Sequence, residues 1–450
     1  MIPLPKFDGE TAIFGLARSG LACVEALCAA GNKVVAWDDA EAPRQKAAQL
    51  GADIRDLAND FGTPKRLILS PGVPLTHPQP HAVVQAATQA GCPIGGDMDL
   101  LATACATQKT RPIIIGITGT NGKSTTAALI HHILRSAGRD CQLGGNIGNA
   151  VMHLHWPKDE NAVFVLELSS YQLALNSNFI ADIAVLTNIS PDHLDRHGDM
   201  VGYSAAKENL FERTPTPLAI IACEDEASCA IAMRHEMRGG RIVRIGGDMP
   251  VAPISAPVDT VLRGAHNAQN AALARAVAHA LGLADKKIDA ALQSFSGLQH
   301  RLQAVAQHGH LTFVNDSKAT NAEATRQALL AYPNIYWIVG GRAKEDGLAG
   351  LETSYSAVRA AYLIGEAAEN FAATLGPYMP CTISHTLDQA VIDASNQADA
   401  DNYDEATILL SPACASFDQF TDFEARGAAF CAAIADWQKT QNANPKEVKR

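Results

Sequence analysis

Residues 119–124, Gly-Thr-Asn-Gly-Lys-Ser, have the composition of a loop that binds phosphate. An apolar run at 113–117 precedes them, and residues 125–130 have a helix-like pattern. Such a loop attracts phosphate because a strand, a glycine turn and a helix N-terminus direct several backbone N–H groups at one point, where the helix dipole also acts. We expect Lys123 to reach the outer phosphates and the Ser124 hydroxyl to hold Mg²⁺.

This loop is shorter than the general nucleotide-binding loop. The general pattern has a further glycine five positions before the glycine that precedes Lys-Ser, and Ile117 occupies that position here. The pattern G-x-x-G-K-S is therefore a shortened phosphate loop. An ordinary glycine turn is disfavoured, because Lys123 and Ser124 follow the second glycine directly.

Two further residues have the chemistry to hold a divalent cation. Glu167 follows the apolar run 162–166, and its carboxylate is the hard oxygen ligand that Mg²⁺ prefers. A glutamate at a strand end is more often solvated. Glu167, however, ends the strand pattern that follows the phosphate loop, and this position favours metal binding. His193 and His197 have the i, i+4 spacing of zinc peptidases, yet Leu194 stands where those enzymes need glutamate, which excludes zinc hydrolysis. We expect His193 to assist a second cation or a substrate phosphate.

Lys207 lies in a segment with a helical pattern, next to Glu208. Taken alone it is a surface lysine, because an ammonium group cannot bind a metal ion. Only reaction with CO₂, which turns the amine into a carbamate, would make it a metal ligand.

The N-terminal block carries a glycine-rich turn. Residues 15–20 resemble a dinucleotide-binding fingerprint, and Asp38 follows at about the expected distance. Ala17 replaces the middle glycine of that fingerprint and would crowd a bound pyrophosphate. Two interpretations stay open: a nucleotide-diphosphate site of other geometry, and an ordinary turn between a strand and a helix.

Three polar loops follow apolar runs in the last third of the chain. The first, at 315–321, offers Asp316 for ribose hydroxyls and Lys318 and Thr320 for a carboxylate or phosphate. The second, at 340–347, carries cations, and the third, at 411–418, places Ser416 where helix N–H groups also hold an anion. Each loop is a weak signal alone, but three in one block favour a substrate site.

The elements that position these residues alternate between strand and helix patterns along the whole chain. At 450 residues the chain is long enough for two to four domains. Alternating β and α segments predict parallel sheets that bind ligands at the carboxyl ends of their strands. We therefore predict an α/β fold of three domains: a Rossmann-like domain at 1–96, a central P-loop ATPase-like domain at 97–298 and a second Rossmann-like domain at 299–450.

The composition excludes several classes of protein. Apolar residues make up 47% and charged residues 18%, which is typical of a globular chain. A net charge of −11 argues against binding to nucleic acid or to a membrane surface. The ten cysteines are scattered without a C-x-x-C pair, which indicates reduced thiols. With no signal peptide and no apolar run near the ~20 residues that span a bilayer, we expect a cytoplasmic protein.

Together these motifs resemble the Mur ligases, the ATP-dependent amide ligases that build the peptidoglycan stem peptide. The resemblance covers nearly the whole chain and is carried by residues 119–124, 167–173, 188–193 and 264–270 and by His300-Arg301. Segments 70–73, 144–148, 316–321 and 410–420 resemble the member that adds D-glutamate to UDP-N-acetylmuramoyl-L-alanine. The Asp-Asn-Pro-Arg motif of the member that adds diaminopimelate or lysine is absent.

The resemblance implies a role for each matching residue. Lys123, His193 and Lys207 would be catalytic. ATP would be bound by the phosphate loop and three later residues: Gly119, Thr120, Asn121, Gly122, Lys123, Ser124, Thr125, Asn270, Arg301 and Asp316. Two Mg²⁺ ions would be held by Ser124, Glu167, His193 and a carbamylated Lys207. The UDP-sugar would contact Arg18, Ser19, Asp38, Ser70 and Asn146. The incoming glutamate would be oriented by Lys318, Thr320, Lys344, Ser416 and Phe423.

The resemblance also implies a monomer and an acyl-phosphate mechanism. One departure concerns the UDP loop, where Ala17-Arg18 stand in place of the Gly-Leu of many related proteins. Three alternatives stay open. Folylpolyglutamate synthase shares the ligase chemistry but is opposed by the N-terminal block and the loop at 411–416. An NAD-dependent oxidoreductase is opposed by Ala17 and the phosphate loop. A non-catalytic scaffold or switch would not need Glu167, His193 and three substrate loops.

Overall fold

A computed structural model describes residues 1–212, 217–246, 265–295, 297–344 and 347–443. They form two compact units. The first contains the described residues of 1–255 and 267–294, and the second those of 256–266 and 295–450. The first unit holds two sheets and the second unit holds one. No helix in the described ranges is long and apolar enough to cross a membrane.

The first sheet is built from five short parallel strands. They are β1 (Glu10–Phe14), β2 (Lys33–Trp37), β3 (Asp53–Ile54), β4 (Arg66–Leu69) and β5 (Ile94–Gly95). Their helices are α1 (Arg18–Ala29), α2 (Glu41–Gln49) and α3 (Ala82–Gln89). The strand order is β3-β2-β1-β4-β5. Because the order reverses between β1 and β4, a crevice opens at their carboxyl ends, where open α/β sheets bind ligands.

The second sheet carries the phosphate loop. Its six parallel strands are β6 (Ile113–Thr118), β7 (Cys141–Gly145), β8 (Val163–Glu167), β9 (Ile183–Leu186), β10 (Leu218–Ala222) and β11 (Ile242–Ile245). Its helices are α4 (Asp97–Thr107), α5 (Lys123–Ser136), α6 (Ser170–Leu175), α7 (Leu194–His197), α8 (Met200–Glu208), α9 (Glu226–Met237), α10 (Ala265–Ala280) and α11 (Asp285–Gln293), with a short 3₁₀ helix at Val151–His153. The order β11-β10-β9-β6-β8-β7 places β6 between β9 and β8.

The third sheet, in the second unit, has one antiparallel edge. Its strands are β12 (Gln303–His308), β13 (Leu311–Asn315), β14 (Ile335–Gly340), β15 (Val358–Ile364), β16 (Cys381–His385) and β17 (Ala406–Leu410). Its helices are α12 (Ala322–Leu329), α13 (Ala368–Leu375), α14 (Leu387–Asp401) and α15 (Phe423–Ala443), with a 3₁₀ helix at Glu352–Ala357. In the order β12-β13-β17-β14-β15-β16, only β12 runs antiparallel to its neighbour.

The central strands are buried along their whole length and consist mostly of apolar residues, which explains why their sequences do not alternate. Every residue of β8, β14 and β17 is buried. A parallel sheet is covered by helices on both faces, so inward and outward side chains both need to be apolar. These continuous runs made the central strands easy to predict from the sequence.

The predicted α/β fold with parallel sheets is confirmed, while some elements differ from the prediction. The boundaries at 96/97 and 298/299 stay predictions. The sequence showed residues 15–20 only as a turn before a helix, but α1 already begins within them, at Arg18. Residues 144–145, which the sequence marked only as part of a loop motif, end the edge strand β7.

Gly20 is required by the close approach of α1 to the turn after β1. A Cβ atom on Gly20 would lie 1.9 Å from the carbonyl oxygen of Gly15. We expect Gly20→Ala to lower the free energy of unfolding by about 1–3 kcal/mol, because the backbone must shift to accept the methyl group. Urea denaturation of the whole chain measures this change. Gly72→Ala is the matched control, since a Cβ there meets no atom within 4 Å; equal losses in both variants would contradict the assignment.

Candidate functional site

The phosphate loop folds as a tight turn between β6 and α5. Gly119 has φ +143° and Gly122 has φ +80°, conformations that favour glycine. A Cβ on Gly119 would lie 2.0 Å from Thr187 Oγ1, so only glycine fits there. Helix α5 begins at Lys123, directly after the turn. The N-terminal N–H groups of a helix lack intrahelical partners, and this turn directs them at one point. That an anion binds there stays a prediction.

The loop after β9 holds the phosphate loop in shape. The backbone N–H of Thr120 donates to the carbonyl of Asn188 at 2.8 Å, and the N–H of Asn121 donates to the Asn188 side-chain oxygen at 2.9 Å. The Asn188 amide donates back to the Asn121 carbonyl at 3.1 Å. Lys123 Nζ donates to the Thr120 carbonyl at 2.7 Å. The amides of Thr120 and Asn121 are therefore used for shape, which leaves the start of α5 as the anion-binding part.

Asn270 lies against the same turn from α10. Its Oδ1 accepts a hydrogen bond from the Thr126 hydroxyl at 3.2 Å, and a Cβ on Gly122 would lie 2.4 Å from that oxygen. Asn270 is buried. The structure thus brings this predicted nucleotide residue to the phosphate loop. Gly264, which begins the same sequence motif, lies outside the described residues.

Lys207 is one of the most buried side chains of the first unit, with 1% of its surface exposed. Its Nζ donates to the Gly119 carbonyl at 2.7 Å and lies 4.4 Å from the centre of the Tyr203 ring. Burial, followed by the charge of Lys123, holds the pKa of Lys207 well below its usual range, while Asp192 and Glu167 act in the opposite direction. The sequence alone favoured a surface lysine, and the structure shows that Lys207 is at the site.

Glu167 and Asn146 are joined at the ends of β8 and β7. The Asn146 side-chain amide donates to Glu167 Oε1 at 2.8 Å, and the Asn146 backbone N–H donates to the Glu167 carbonyl at 2.8 Å. Glu167 is 1% exposed, and Ser124 is also buried. A predicted substrate residue and a predicted metal ligand are therefore in direct contact.

His193 is more exposed than the other predicted metal ligands. It has a positive φ of 54°, and its Nε2 lies 3.4 Å from Asp192 Oδ2. Its ring lies 5.0 Å from that of Tyr171. His197 instead bonds Ser170 Oγ at 2.9 Å, and burial, helped by the charge of Lys207, lowers its pKa to about 4. His197 therefore has a packing role.

The predicted metal ligands belong to several residue types, and a hard cation would have to be held by all of them together. Among the described residues no three His, Cys, Asp or Glu side chains lie close enough to bind a metal by themselves. The predicted ligands also include a serine hydroxyl and a lysine, Ser124 and Lys207. A buried carboxylate and a buried hydroxyl beside a phosphate loop are oxygen donors suited to Mg²⁺.

Three predicted UDP-sugar residues, Ser19, Asp38 and Ser70, lie just after strands of the first sheet. The Ser19 and Ser70 hydroxyls are 3.5 Å apart. Asp38 accepts from the backbone N–H of Leu16 at 2.6 Å and from that of Ala40 at 2.9 Å. The Arg18 guanidinium group binds main-chain carbonyls of the loop after β7, so its side chain is engaged with protein, which the sequence did not predict.

The second unit gathers its three predicted loops at the carboxyl ends of β13, β14 and β17. Arg342 and Ala415 exchange two backbone hydrogen bonds of 2.9 and 3.0 Å, which ties the loop after β14 to the loop after β17. Lys318 Nζ lies 5.6 Å from the Phe423 ring centre, and Thr320 donates its N–H to the Lys318 carbonyl at 2.9 Å.

Ser416 and Lys344 differ in exposure. Ser416 is buried within the loop after β17, whereas Lys344 is exposed. Glu345 and Asp346, which follow Lys344 in the second loop, lie outside the described residues.

Asp316 is buried at the end of β13. Its Oδ2 accepts from the Ser411 hydroxyl at 2.8 Å, and its Oδ1 accepts from the Leu302 N–H at 3.2 Å. Burial raises the pKa of Asp316 to about 7, although these bonds and the charge of Arg301 act against the shift. Arg301 Nε is buried and makes no hydrogen bond with any described residue.

Comparison with known proteins agrees with this arrangement. The family described as the Mur ligase middle domain matches residues 117–278. A UDP-N-acetylmuramoylalanine–D-glutamate ligase of Rhizobium meliloti is 47% identical, over 97% of this chain and 98% of the relative. The ligase of the same name from Caulobacter vibrioides is 47% identical over 96% and 97%. The chain belongs to the Mur ligase family.

Solved structures of Mur ligases share the fold. A UDP-N-acetylmuramate–alanine ligase from Thermotoga maritima superposes with a TM-score of 0.58 at 17% identity, covering 96% of this chain and all of that one. MurF from Acinetobacter baumannii gives 0.57 at 18% identity, covering 94% and 93%. At such identities the likeness shows the fold alone.

One residue of this Mur ligase site was missed by sequence reasoning. Arg426, in the first turns of α15, is 1% exposed and donates to Ser317 Oγ at 3.0 Å, to the Ser317 carbonyl at 2.8 Å and to the Cys414 carbonyl at 3.1 Å. It therefore joins the loops after β13 and β17. Nothing in its local sequence separates it from a surface arginine, because its partners lie 12 or 109 residues away.

The raised pKa of Asp316 predicts a pH dependence of stability. Between about pH 4, the pKa of an unfolded aspartate, and pH 7, the native state keeps a proton that the unfolded state has lost. The free energy of unfolding therefore falls as the pH rises through this range. We expect Asp316→Asn to reduce that fall, measured as urea midpoints at pH 5 and pH 7. The exposed Asp404→Asn is the control. An unchanged slope in Asp316→Asn would contradict the prediction.

Proposed function

We propose that this chain is an ATP-dependent ligase that adds D-glutamate to UDP-N-acetylmuramoyl-L-alanine in peptidoglycan precursor synthesis. The observation that carries the proposal is the meeting of Lys207 and Glu167 with a short phosphate loop. Its support is the 47% identity, over nearly the full chain, to ligases named for that reaction. An oxidoreductase or a scaffold does not need this buried set of charges, and the two ligases compared above are named for D-glutamate addition and not for folylpolyglutamate synthesis.

The proposed reaction requires activation of a carboxylate before an amine can attack it. ATP would supply this activation by transferring its γ-phosphoryl group to the terminal carboxylate of the UDP-linked substrate, which forms an acyl phosphate and releases ADP. Lys123 and the N-terminal N–H groups of α5 would stabilise the charge that develops on the transferred phosphoryl group. The glutamate amine then attacks the acyl phosphate and releases phosphate. In this reaction the phosphate loop would bind the phosphates of ATP, a role that its geometry suits.

We propose that two Mg²⁺ ions are held by Ser124, Glu167, His193 and a carbamylated Lys207. The ions would neutralise charge on the phosphates. An unmodified ammonium at position 207 would repel a cation, whereas a carbamate would attract it. The amine of Lys207, held beside Gly119, is in a suitable environment for this modification, because burial lowers its pKa and so favours the neutral amine that reacts with CO₂.

We assign the remaining predicted residues by their place in the fold. Ser19, Asp38, Ser70 and Asn146 would bind the UDP-sugar in the first unit. Asn270 there, and Arg301 and Asp316 in the second unit, would bind ATP. The loops of the second unit would orient glutamate through Lys318, Thr320, Lys344, Ser416 and Phe423. We further propose that the enzyme is a cytoplasmic monomer with domains at 1–96, 97–298 and 299–450.

Phosphate release tests the proposed function directly. With ATP, Mg²⁺ and UDP-N-acetylmuramoyl-L-alanine, we expect release to require an amino acid and to be fastest with D-glutamate. L-Glutamate, lysine and diaminopimelate are the comparison substrates. Release with lysine or diaminopimelate at the rate for D-glutamate would refute the assignment, and equal rates with L- and D-glutamate would refute its stereochemistry.

Replacement of Lys207 tests the carbamate. We expect Lys207→Ala to lose at least about 99% of kcat, because a charged metal ligand is removed. Added acetate or formate should restore part of the rate by filling the vacant space. A second measurement is independent of activity: the parent chain in ¹³C-bicarbonate should show a carbamate signal by ¹³C NMR that Lys207→Ala lacks. The exposed Lys158→Ala is the control, and a signal that persists in Lys207→Ala would refute the modification.

A further inference from the structure

Two arginines cross between the first and second sheets. Arg18, at the start of α1 beside the first-sheet crevice, donates to the carbonyls of Gly145, Asn146 and Gly148, each at 3.0 Å. All three carbonyls belong to β7 or the loop that follows it in the second sheet. The guanidinium fork suits this task, because it directs several N–H groups at separate acceptors.

The loop that Arg18 holds rests directly on Glu167. Asn146 makes a main-chain and a side-chain hydrogen bond to Glu167, both 2.8 Å. A Cβ on Gly145 would lie 2.3 Å from the Glu167 carbonyl oxygen, so the two backbones touch. Arg18 therefore connects the crevice near Ser19 to a proposed metal ligand through Asn146.

Arg196 makes a similar connection from the second sheet to the first. It lies on α7 of the second sheet, just after His193, and donates to the Gly72 carbonyl at 3.0 Å in the loop after β4. Its guanidinium lies 4.8 Å from the Tyr171 ring centre, and that ring lies 5.0 Å from His193. A Cβ on Gly198, at the end of α7, would meet the His77 ring at 2.9 Å, so α7 packs closely on this loop.

We propose that Arg18 and Arg196 are positioning residues that fix the two substrate loops of the first sheet against Glu167 and His193. The inference rests on the function proposed above. Neither guanidinium needs to touch the reacting atoms. Arg18 joins the turn next to Ser19 to the loop that contacts Glu167. Arg196 joins the loop after Ser70 to the segment that carries His193. The pair therefore sets the distance between the bound UDP-sugar and the phosphate loop.

Loss of either connection should lower turnover more than substrate affinity. Ser19 contacts Ser70, and Asp38 accepts a hydrogen bond from the Leu16 N–H, all within the first sheet. This part of the proposed binding surface therefore survives the substitutions. A small misplacement of reacting groups costs rate steeply. We expect Arg18→Ala and Arg196→Ala each to reduce kcat about tenfold, with the KM for the UDP-sugar within about twofold of the parent. Arg18→Lys should restore only part of kcat, because one ammonium cannot bind three carbonyls.

Hydrogen exchange gives a readout that does not depend on activity. The N–H of Gly145 donates to Asn149 and that of Asn146 to Glu167, at 3.0 and 2.8 Å. In Arg18→Ala, exchange of the peptide containing residues 145–149 should rise about tenfold. In Arg196→Ala, the rise should fall on residues 194–198.

Arg66→Ala is the matched control. Arg66 contacts the Phe7 ring and Thr11 Oγ1 within the first sheet, so its loss should change neither kcat nor exchange at 145–149. Parent-like kcat and exchange in both test variants would overturn the proposal. A loss confined to KM would also overturn it, since that result marks a direct substrate contact. Failure of the parent to release phosphate would refute the proposed function instead, while the exchange experiment would still test the two connections.

Discussion

The alignment of β6 between β8 and β9 is the constraint on which the candidate site depends. On one side of β6, Ile117 pairs with Glu167 of β8. On the other side, Thr118 pairs with Leu186 of β9. Because all three strands are parallel, their carboxyl ends emerge together at one edge of the sheet. A slip of one residue would turn every side chain of a strand to the opposite face. Buried apolar side chains along all three strands oppose that slip, so the same residues that form the core also fix the site.

Buried charge at this edge is costly for folding and therefore informative about function. An ionised group removed from water loses several kcal/mol unless partners compensate. Lys207 is buried against a single carbonyl and an aromatic ring, and Glu167 is buried beside Asn146. A fold selected only for stability would replace such groups with apolar ones. Their presence beside a phosphate loop is explained when a ligand of opposite charge completes the site.

The sequence predicted what is local and missed what depends on distant contacts. Central strands such as β8 and β14 were recognisable because parallel sheets bury both faces. The strands β3 and β5 have only two residues each, too few to show a hydrophobic pattern. Strand β7 ends in two glycines, which are typical of a turn. The phosphate loop and Glu167 were found because each follows an apolar run directly.

Side-chain partners far along the chain were beyond sequence reasoning. The substrate contact of Arg18 stays a prediction, but the bonds of its guanidinium to carbonyls about 130 residues away were not foreseen. Lys207 looked like a surface residue because a helical pattern does not show which face is buried, and Arg426 gave no signal at all. In each case the sequence shows that the side chain is charged. Its partners become visible only when separate elements pack together.

The short phosphate loop is explained by its neighbour. Ile117, at the position where longer loops have glycine, is fully buried and paired on both sides, to Glu167 and to Val185. The strand therefore continues to Thr118, and only four residues remain for the turn before α5 begins. So short a turn cannot satisfy its own backbone groups. Asn188, from the loop after β9, binds the amides of Thr120 and Asn121 and returns a bond to the Asn121 carbonyl. The missing glycine and the asparagine in the loop after β9 are thus two parts of one solution, in which the adjacent loop supplies hydrogen bonds to Thr120 and Asn121.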